Sequence, residues 1–490
     1  MATAKKKKKS IRLLLLVLVV AALVGVYFLL GGEDEPLEEN PGEITQAADN
    51  SVELCPFTAE EIVKVSFVNP KFSGTVVKQT DGSYVMEEEP EFPLSQIKAQ
   101  VMFGNVCGKA DSVVTEDAEL SVYGLENPAV RIVATDASGK EYRLNVGDKI
   151  GTVSKTGYYA CIDGQNTVYQ VPASLYVYFN LDKATWITTE TLPEIDTATI
   201  VAVEIESKEF GDFALYHTGA VGDGDGNPST GNWRMEKPYS NVLSVSETPV
   251  TEQIVNYAGF SFGRPVDYKK ENFALYGLEE PVTKLTLTCE VSSELTTDLV
   301  KKKIVLNIGN QLESGDYYVN LSGSPLVYTM TGANVRGLVD IDADSFVEKR
   351  FSMIFIYTIS ELEVTMGDTK HLYEMTHKEL VEGDSSTRES TFVADGVPVN
   401  NESSGFNTFY TYFIKPQASF VLPADTKAEG EPVLTLRYKR TDPAYEDLFM
   451  EYFPYDDSFY AVRINGVMMY AVDKRDVDAL MKGINEYVPE

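Results

Sequence analysis

The residues whose spacing best suits metal chemistry lie in the last third of the chain. His371, Glu374 and His377 are spaced three residues apart, and imidazole and carboxylate groups are common zinc ligands. The segment aligns with a strand of an earlier repeat, so the two histidines share one face and Glu374 points to the other. We therefore interpret them as two surface histidines and predict no metal site here.

An acidic segment imitates the start of a calcium-binding loop. Asp223, Asp225 and Asn227 alternate with glycine, as the first ligands of an EF-hand do. Pro228 then stands where such a loop needs glycine, and Arg234 stands where it needs a bidentate glutamate. A long hairpin loop is the simpler interpretation, so neither a metal nor a cofactor is predicted.

Catalytic motifs are otherwise missing from the sequence. The chain has only three histidines and contains no GxSxG elbow, no P-loop and no HExxH helix. Paired carboxylates suited to glycoside hydrolysis stay open among 74 acidic residues. No pair stands out by context, however, and runs such as Glu87–Glu89 indicate solvated charge. We predict no catalytic residues and a protein that is not an enzyme.

The charge distribution excludes one large class of partner. The formal net charge is -32, and six of the 42 basic residues lie in the first twelve positions, which leaves 36 basic residues against 74 acidic ones. So negative a surface repels phosphate backbones. We therefore expect no nucleic acid among the partners.

An apolar run near the N-terminus indicates a membrane anchor. Lys5–Lys9 precede the run Ile11–Leu30, and about 20 helical residues at about 1.5 Å each span a bilayer core. By the positive-inside rule the lysines stay cytoplasmic. We predict a cytoplasmic basic tail over 1–10, a transmembrane helix over 11–30 and an acidic linker over 31–56. A cleaved signal peptide is the alternative, but the run lacks a small-x-small cleavage pattern.

Internal repetition dominates the rest of the chain. Short motifs occur twice in the same order, at a spacing that drifts only slightly. These pairs are Tyr123-Gly124-Leu125-Glu126-Asn127-Pro128 with Tyr276-Gly277-Leu278-Glu279-Glu280-Pro281, Leu144-Asn145-Val146-Gly147 with Leu306-Asn307-Ile308-Gly309, Tyr158-Tyr159 with Tyr317-Tyr318, and Val168-Tyr169 with Val327-Tyr328. Repetition at a fixed period indicates tandem structural units.

A third, degenerate copy closes the chain. Phe459–Val462 resembles Tyr158–Cys161, and Leu372-Tyr373 resembles Leu215-Tyr216, although the Tyr-Gly-Leu element is absent. Strand-like alternation at both ends of each unit surrounds a helical pattern. We predict an α+β fold with repeat units over 57–190, 191–350 and 351–490, each a mainly antiparallel sheet with one or two helices.

The repeated turn motif is better explained by structure than by chemistry. Glycine supplies a backbone conformation that other residues disfavour, leucine and tyrosine fill the core, and proline stops helix continuation. The predicted structural residues are Tyr123, Gly124, Leu125, Pro128, Tyr276, Gly277, Leu278 and Pro281. For Cys55 and Cys107, a disulfide and two buried free thiols both stay open.

With these motifs in view, the chain resembles the DUF4340 family, a bacterial domain of unknown function. The Tyr-Gly-Leu-x-x-Pro element is the most specific part of the resemblance. Members are typically envelope proteins encoded beside ABC-2-type transporter permeases and gliding-motility-type auxiliary proteins. The resemblance implies an accessory role on the outer side of an exporter, with a permease or auxiliary subunit as partner, and it implies no catalytic residues.

Three functions follow, from different classes. The leading hypothesis is a non-enzymatic, membrane-anchored interaction protein that serves an ABC-type transporter. The alternative is a cell-envelope module that holds glycan or peptide with surface tyrosines, and a hydrolase comes third. A concave aromatic cleft would favour ligand binding, whereas a broad apolar patch would favour a protein partner.

Overall fold

Three antiparallel sheets follow one another along the chain. The computed structural model describes residues 51–489 apart from 107, 152–156, 219–229, 293–298, 383–384, 400–404 and 442–445. The first long strand, Ile62–Val68, buries Ile62, Val65 and Phe67. Ile62 and Val65 are three positions apart, whereas strict alternation would place them an even number apart. A bulge in the pairing with the neighbouring strand lies between them, and the extra residue of a bulge lets both side chains point inward.

The first repeat contains an eight-stranded sheet and a small two-stranded one. Its strands are β1 Val52–Glu53, β2 Ile62–Val68, β3 Ser73–Lys78, β4 Tyr84–Met86, β5 Lys109–Ala110, β6 Ser112–Thr115, β7 Val130–Asp136, β8 Glu141–Lys149, β9 Gly157–Ile162 and β10 Val168–Pro172. The large sheet has the order β4-β3-β2-β7-β8-β9-β10-β6, and β1 pairs with β5. The fold therefore begins slightly before the predicted boundary at 57.

The second and third repeats each contain a nine-stranded sheet. The second has β11 Ile200–Ser207, β12 Phe213–His217, β13 Thr230–Lys237, β14 Leu243–Ser246, β15 Pro265–Asp267, β16 Thr283–Ser292, β17 Leu299–Gln311, β18 Tyr317–Leu321 and β19 Val327–Met330. The third has β20 Ile359–Met366, β21 Thr369–Glu382, β22 Ser385–Ala394, β23 Val397–Val399, β24 Ala418–Val421, β25 Leu434–Arg440, β26 Leu448–Pro454, β27 Phe459–Ile464 and β28 Val467–Asp473.

All three large sheets share one topology. Their orders are β4-β3-β2-β7-β8-β9-β10-β6, β14-β13-β12-β11-β16-β17-β18-β19-β15 and β23-β22-β21-β20-β25-β26-β27-β28-β24. In each sheet, the first strands form a meander that runs to one edge. A helix then leads to a short strand at the opposite edge. The second meander starts beside the first long strand of the sheet. Mostly antiparallel sheets with helices in repeated units agree with the predicted α+β class.

Six α-helices lie in the described part of the chain, two in each repeat. They are α1 Gln96–Val106, α2 Ala173–Phe179, α3 Glu247–Tyr257, α4 Gly332–Val339, α5 Gly405–Tyr410 and α6 Lys474–Glu486. Their apolar sides join the sheets in one core cluster that extends through all three repeats. Residues from Val52 to Glu490 accordingly form one compact unit, as stacked repeats do when each buries its neighbour's face.

The strand ladders define which residues of the repeats are equivalent. In each sheet the second meander begins with two long paired strands, and the register of this pair can be compared directly. Equivalent positions are Leu144, Leu306 and Met450, followed three residues later by Gly147, Gly309 and Phe453. The third repeat thus replaces a glycine of the repeated motif with a buried phenylalanine.

The ladders also correct two alignments in the third repeat. Tyr460 rather than Phe459 is the equivalent of Tyr158, and Tyr373 rather than Leu372 holds the inward position of its hairpin. A slip of one residue exchanges the two faces of a strand. Adjacent apolar residues conceal such a slip when only the sequence is compared.

No helix among the described residues is long and apolar enough to cross a membrane. The predicted basic tail over 1–10 and transmembrane helix over 11–30 lie outside those residues, as does most of the predicted linker over 31–56. The anchor therefore stays a prediction from the sequence.

Candidate ligand-binding cleft

The Tyr-Gly-Leu motif forms the same turn in the first two repeats. A short 3-10 helix, Leu120–Tyr123 or Lys270–Tyr276, ends at a glycine with φ of 69° or 68°, which favours glycine because it has no Cβ. The leucine that follows is buried in both repeats, and the proline lies shortly before the next strand. The residues concerned are Tyr123, Gly124, Leu125, Pro128, Tyr276, Gly277, Leu278 and Pro281.

The second repeated glycine packs directly against this turn. A β-carbon on Gly147 would overlap the carbonyl oxygen of Tyr123, and one on Gly309 would overlap that of Tyr276. The motif tyrosine also contacts the strand that follows, as in the pair Tyr276 and Tyr318, whose ring centroids lie 4.9 Å apart. Two motifs that are separate in sequence therefore form one packed unit.

In the second repeat this unit extends to an acidic side chain. The hydroxyl of Tyr276 donates a hydrogen bond of 2.9 Å to Oδ2 of Asp267, and Nδ2 of Asn272 donates to the same oxygen at 2.8 Å. Burial raises the pKa of Asp267, but these bonds and the backbone N–H of Tyr268 bring it below its ordinary value. The motif thus helps to hold Asp267 ionised in the lining of a charged cleft.

The histidine pair is not a surface pair. Both side chains are half-buried on the inward face of β21, while Glu374 is exposed. Nδ1 of His371 lies 2.8 Å from Oδ2 of Asp395. The ring of His377 is hydrogen-bonded to Ser390 and to the carbonyl of Ile359. The shared face was predicted correctly, but the surface position was wrong because Asp395, in the turn after β22, holds one ring and two neighbouring strands hold the other.

The other candidates from sequence have mixed outcomes. Cys161 and Cys289 are buried thiols, whereas Cys107 and the acidic loop at 223–227 lie outside the described residues. Within the part that the structure describes, no three His, Cys, Asp or Glu side chains are grouped to hold a metal ion.

The Glu87–Glu89 run is not simply solvated charge. Glu87 forms an exposed ion pair with Lys64, but Glu89 is only 24% exposed and bonds to two lysines. The interpretation from sequence was therefore wrong for Glu89, because its partners lie far away in the chain.

A cleft lies between the first and second repeats. It has a volume of about 510 Å³, within the range of small-molecule sites. Its charged lining residues are Lys71, Asp182, Lys183, Arg264, Asp267 and Lys269. Four cations against three carboxylates, with Glu89 included, leave the cleft with a positive surplus on a strongly acidic chain.

Glu89 is the centre of one charge cluster. Its carboxylate lies 2.5 Å from Nζ of Lys183 and 2.7 Å from Nζ of Lys269, and the Tyr268 hydroxyl donates to it. Hydrogen bonds from Lys183, Lys269 and Tyr268 lower the pKa of Glu89 to about 2. Glu89 in turn raises the pKa of Lys269. The cluster connects Glu89 and Lys183 of the first repeat to Tyr268 and Lys269 of the second.

Asp182 is the centre of a second cluster. Nη1 of Arg264 lies 3.2 Å from its Oδ2, and Thr185 donates to its Oδ1 at 2.9 Å from the backbone N–H. Burial raises the pKa of Asp182, but Thr185 and the charges of Arg264 and Lys71 bring it below the ordinary value. Two cations again act on one carboxylate.

The junction between the second and third repeats has a different character. There Nδ2 of Asn241 donates a hydrogen bond of 3.1 Å to the carbonyl of Met468, and the backbone N–H of Ala418 donates to the carbonyl of Lys349 at 2.8 Å. The cavity beside Phe351 has only about 90 Å³, with Leu448 among its mostly apolar lining. A charged cleft is therefore not a necessary result of stacking two repeats.

The cleft residues have only a weak signal in the sequence. Arg264, Lys269 and Lys270 lie within seven positions of one another in an otherwise acidic chain, and this local excess of positive charge could have drawn attention to the site. Their carboxylate partners, Glu89 and Asp182, lie 82 or more residues away.

The comparisons with known proteins identify one family. The model of a family described as "Domain of unknown function (DUF4340)" matches residues 85–234 and again residues 233–384, which is more than half of the chain. Each match is about as long as one repeat. It begins in the third strand of one large sheet and ends within the next large sheet. No curated protein and no solved structure matches the chain.

Proposed function

The chain belongs to the DUF4340 family, and on that premise we propose that it is a non-enzymatic interaction protein of the cell envelope. In this proposal residues 11–30 anchor it in the cell membrane, its N-terminus is cytoplasmic and residues 51–490 are extracytoplasmic. It serves as an accessory subunit of an ABC-type, gliding-motility-like transporter complex.

One observation carries the non-enzymatic part of this proposal. The carboxylates of the cleft are held in their charged form by their partners: hydrogen bonds lower the pKa of Glu89 to about 2, and the pKa values of Asp182 and Asp267 are also lowered. General acid–base catalysis works best with a pKa near the operating pH. Groups held permanently charged suit binding better than proton transfer.

The membrane and partner roles are supported by the sequence. Lys5–Lys9 and the apolar run Ile11–Leu30 have the order of an anchor with its basic side in the cytoplasm. The transporter partner comes from the resemblance to envelope proteins encoded beside permeases.

The test is a membrane pull-down with the full-length chain beside a version that lacks residues 1–32. We expect a permease and its ATPase to co-purify with the anchored form and to be depleted from the truncated form. Recovery of no stoichiometric partner, under detergent conditions that preserve a known transporter complex, would contradict a stable assembly.

A glycan- or peptide-binding module of the envelope is the second candidate. The observation that favours it is an aromatic pair in the cleft, Phe92 and Tyr268, with ring centroids 5.2 Å apart in an edge-to-face arrangement. A concave site with an aromatic wall is typical of ligand binding. Both candidates share the non-enzymatic binding role.

A further inference from the structure

We infer that the cleft between the first and second repeats binds an acidic saccharide, with the carboxylate of a sugar acid beside Lys71 and Arg264. The inference rests on the non-enzymatic binding role proposed above and names a ligand for it.

Surplus positive charge is present at both charge clusters. Lys183 and Lys269 share Glu89, and Arg264 and Lys71 both act on Asp182. An incoming anion therefore gains attraction without having to displace a carboxylate. Because each carboxylate keeps its cations in place before binding, little side-chain freedom is lost on association.

Several hydrogen-bond donors of these cations stay open to the cleft. The Arg264 side chain is 67% exposed and uses Nη1 for Asp182, so the rest of its planar fork is available. Lys71 is exposed and donates one bond of 3.2 Å to the carbonyl of Asn180. A guanidinium fork matches a planar carboxylate with two parallel hydrogen bonds.

The size and wall of the cleft indicate more than a small inorganic ion. Its volume of about 510 Å³ is many times the roughly 30 Å³ of a water molecule in the liquid. The Tyr268 ring, half-buried against Phe92, supplies an apolar surface beside charged groups. Sugar rings present both C–H faces and hydroxyls, and aromatic side chains contact such amphipathic surfaces.

A saccharide fits the lining better than a peptide does. Peptides often bind by adding a strand to an open sheet edge, but the edge strand β15 in this cleft packs against the turn Lys183–Trp186. The polar residues that line the cleft include Asp182, whose carboxylate accepts hydrogen bonds, and Asn272, whose amide donates one to Asp267. Because a hydroxyl group both donates and accepts hydrogen bonds, it can pair with both kinds of lining group.

The second junction serves as an internal comparison. It has the same place in the repeat architecture, yet its cavity has about 90 Å³ and Glu348 is the one charged residue in its lining. Repeat stacking therefore does not require the positive surplus of the first junction, and an anionic ligand would neutralise that surplus.

The test is calorimetric titration of the full-length protein in a non-ionic detergent. The probes are a trimer of galacturonic acid, a neutral galactose trimer, triglutamate and inorganic phosphate. We expect the acidic trimer to bind, with an affinity that falls as sodium chloride is added. The neutral trimer, the peptide and phosphate should bind at least about tenfold more weakly, a difference that affinity measurements resolve readily.

Two double variants locate the site. Lys71→Gln with Arg264→Gln should weaken binding of the acidic trimer by about tenfold or more, since both side chains are exposed and line the cleft. Lys237→Gln with Lys284→Gln makes the same charge change at exposed ion pairs outside the cleft lining, so it should leave the affinity unchanged. Circular dichroism checks that both variants are folded.

Each alternative outcome has a distinct meaning. Absence of binding at up to about 10 mM trimer, equal loss in both double variants, or tighter binding of triglutamate or phosphate would overturn the saccharide inference. Release of new reducing ends from the bound trimer would instead contradict the non-enzymatic proposal and leave the ligand class in place.

Discussion

Gly309 lies so close to the carbonyl oxygen of Tyr276 that a β-carbon at position 309 would overlap it. The two residues belong to different repeated motifs, 33 positions apart in the sequence. Gly147 and Tyr123 have the same relationship in the first repeat. The third repeat has Phe453 at the equivalent place and lacks the Tyr-Gly-Leu turn, so the glycine and the turn are absent together.

Substitution of Gly309 by alanine should destabilise the protein. The new methyl group would overlap backbone atoms that cannot move without breaking the turn, and overpacking of this kind costs about 3 kcal/mol. The measurement is the free energy of unfolding from a denaturant titration.

Gly337→Ala is the matched control. This exposed glycine of α4 has no heavy atom within 4 Å of a built β-carbon, so alanine should stabilise the protein by roughly 0.5–1 kcal/mol. Equal effects of the two changes would contradict the packing argument.

The hydroxyl of Tyr276 should contribute more to the stability of the folded protein than the hydroxyl of Tyr123 does. Tyr276→Phe removes a hydrogen bond of 2.9 Å to Asp267 and should cost about 1 kcal/mol. Tyr123→Phe is the control, since both rings contact a following tyrosine at the same 4.9 Å centroid distance. Thermal unfolding of both variants checks the difference. A Tyr123→Phe loss as large as that of Tyr276→Phe would contradict a contribution from the bond to Asp267, because both substitutions keep the ring and remove only the hydroxyl.

Glu89 should stabilise the first junction in a pH-dependent way. Glu89→Gln leaves Lys183 and Lys269 without their carboxylate, so it should lower the free energy of unfolding by about 1–3 kcal/mol at neutral pH. The folded pKa of Glu89 is about 2, below the ordinary 4.5. Its contribution is therefore complete above the unfolded value and is lost as the pH falls from about 4.5 toward 2.

The control for this change lies two residues away. Glu87→Gln removes an ion pair with Lys64 in which Glu87 is 51% exposed, and exposed pairs contribute about 0–1 kcal/mol. Denaturant titrations of the wild type and both variants at neutral and acidic pH measure how each substitution changes the free energy of unfolding. A Glu89→Gln deficit that stays constant down to the lowest pH would be inconsistent with an ionised Glu89 as its source.

The histidine segment should not bind zinc. Six strand residues at about 3.3 Å each place His371 and His377 about 20 Å apart, whereas two zinc ligands bind one ion at about 2 Å. Competition against a chromophoric chelator should give the same zinc affinity for the wild type and for a variant with both histidines replaced by alanine. Loss of one stoichiometric zinc ion in that variant would refute this prediction.

Much of the fold was predictable because it depends on local pattern and on repetition. Strand-like alternation at the start of each unit was predicted, and Ile62–Val68 is such a strand in the first repeat, since alternation of apolar residues is read directly from the sequence. The third repeat was harder. Its aromatic residues are adjacent at Tyr460 and Phe459, so similarity alone could not choose the register, and pairing with the neighbouring strands decided it.

The repeats, the strand-rich α+β class, the family and the positions of the turn glycines were all predictable from the sequence, because each of them follows from short motifs of neighbouring residues. Which charges meet is a property of the folded chain. Glu89 and Lys269 lie in different repeats, and an ion pair depends on distance in space, which neither composition nor spacing reports. For this reason a run of glutamates that reads as solvated surface contains the carboxylate at the centre of the candidate cleft.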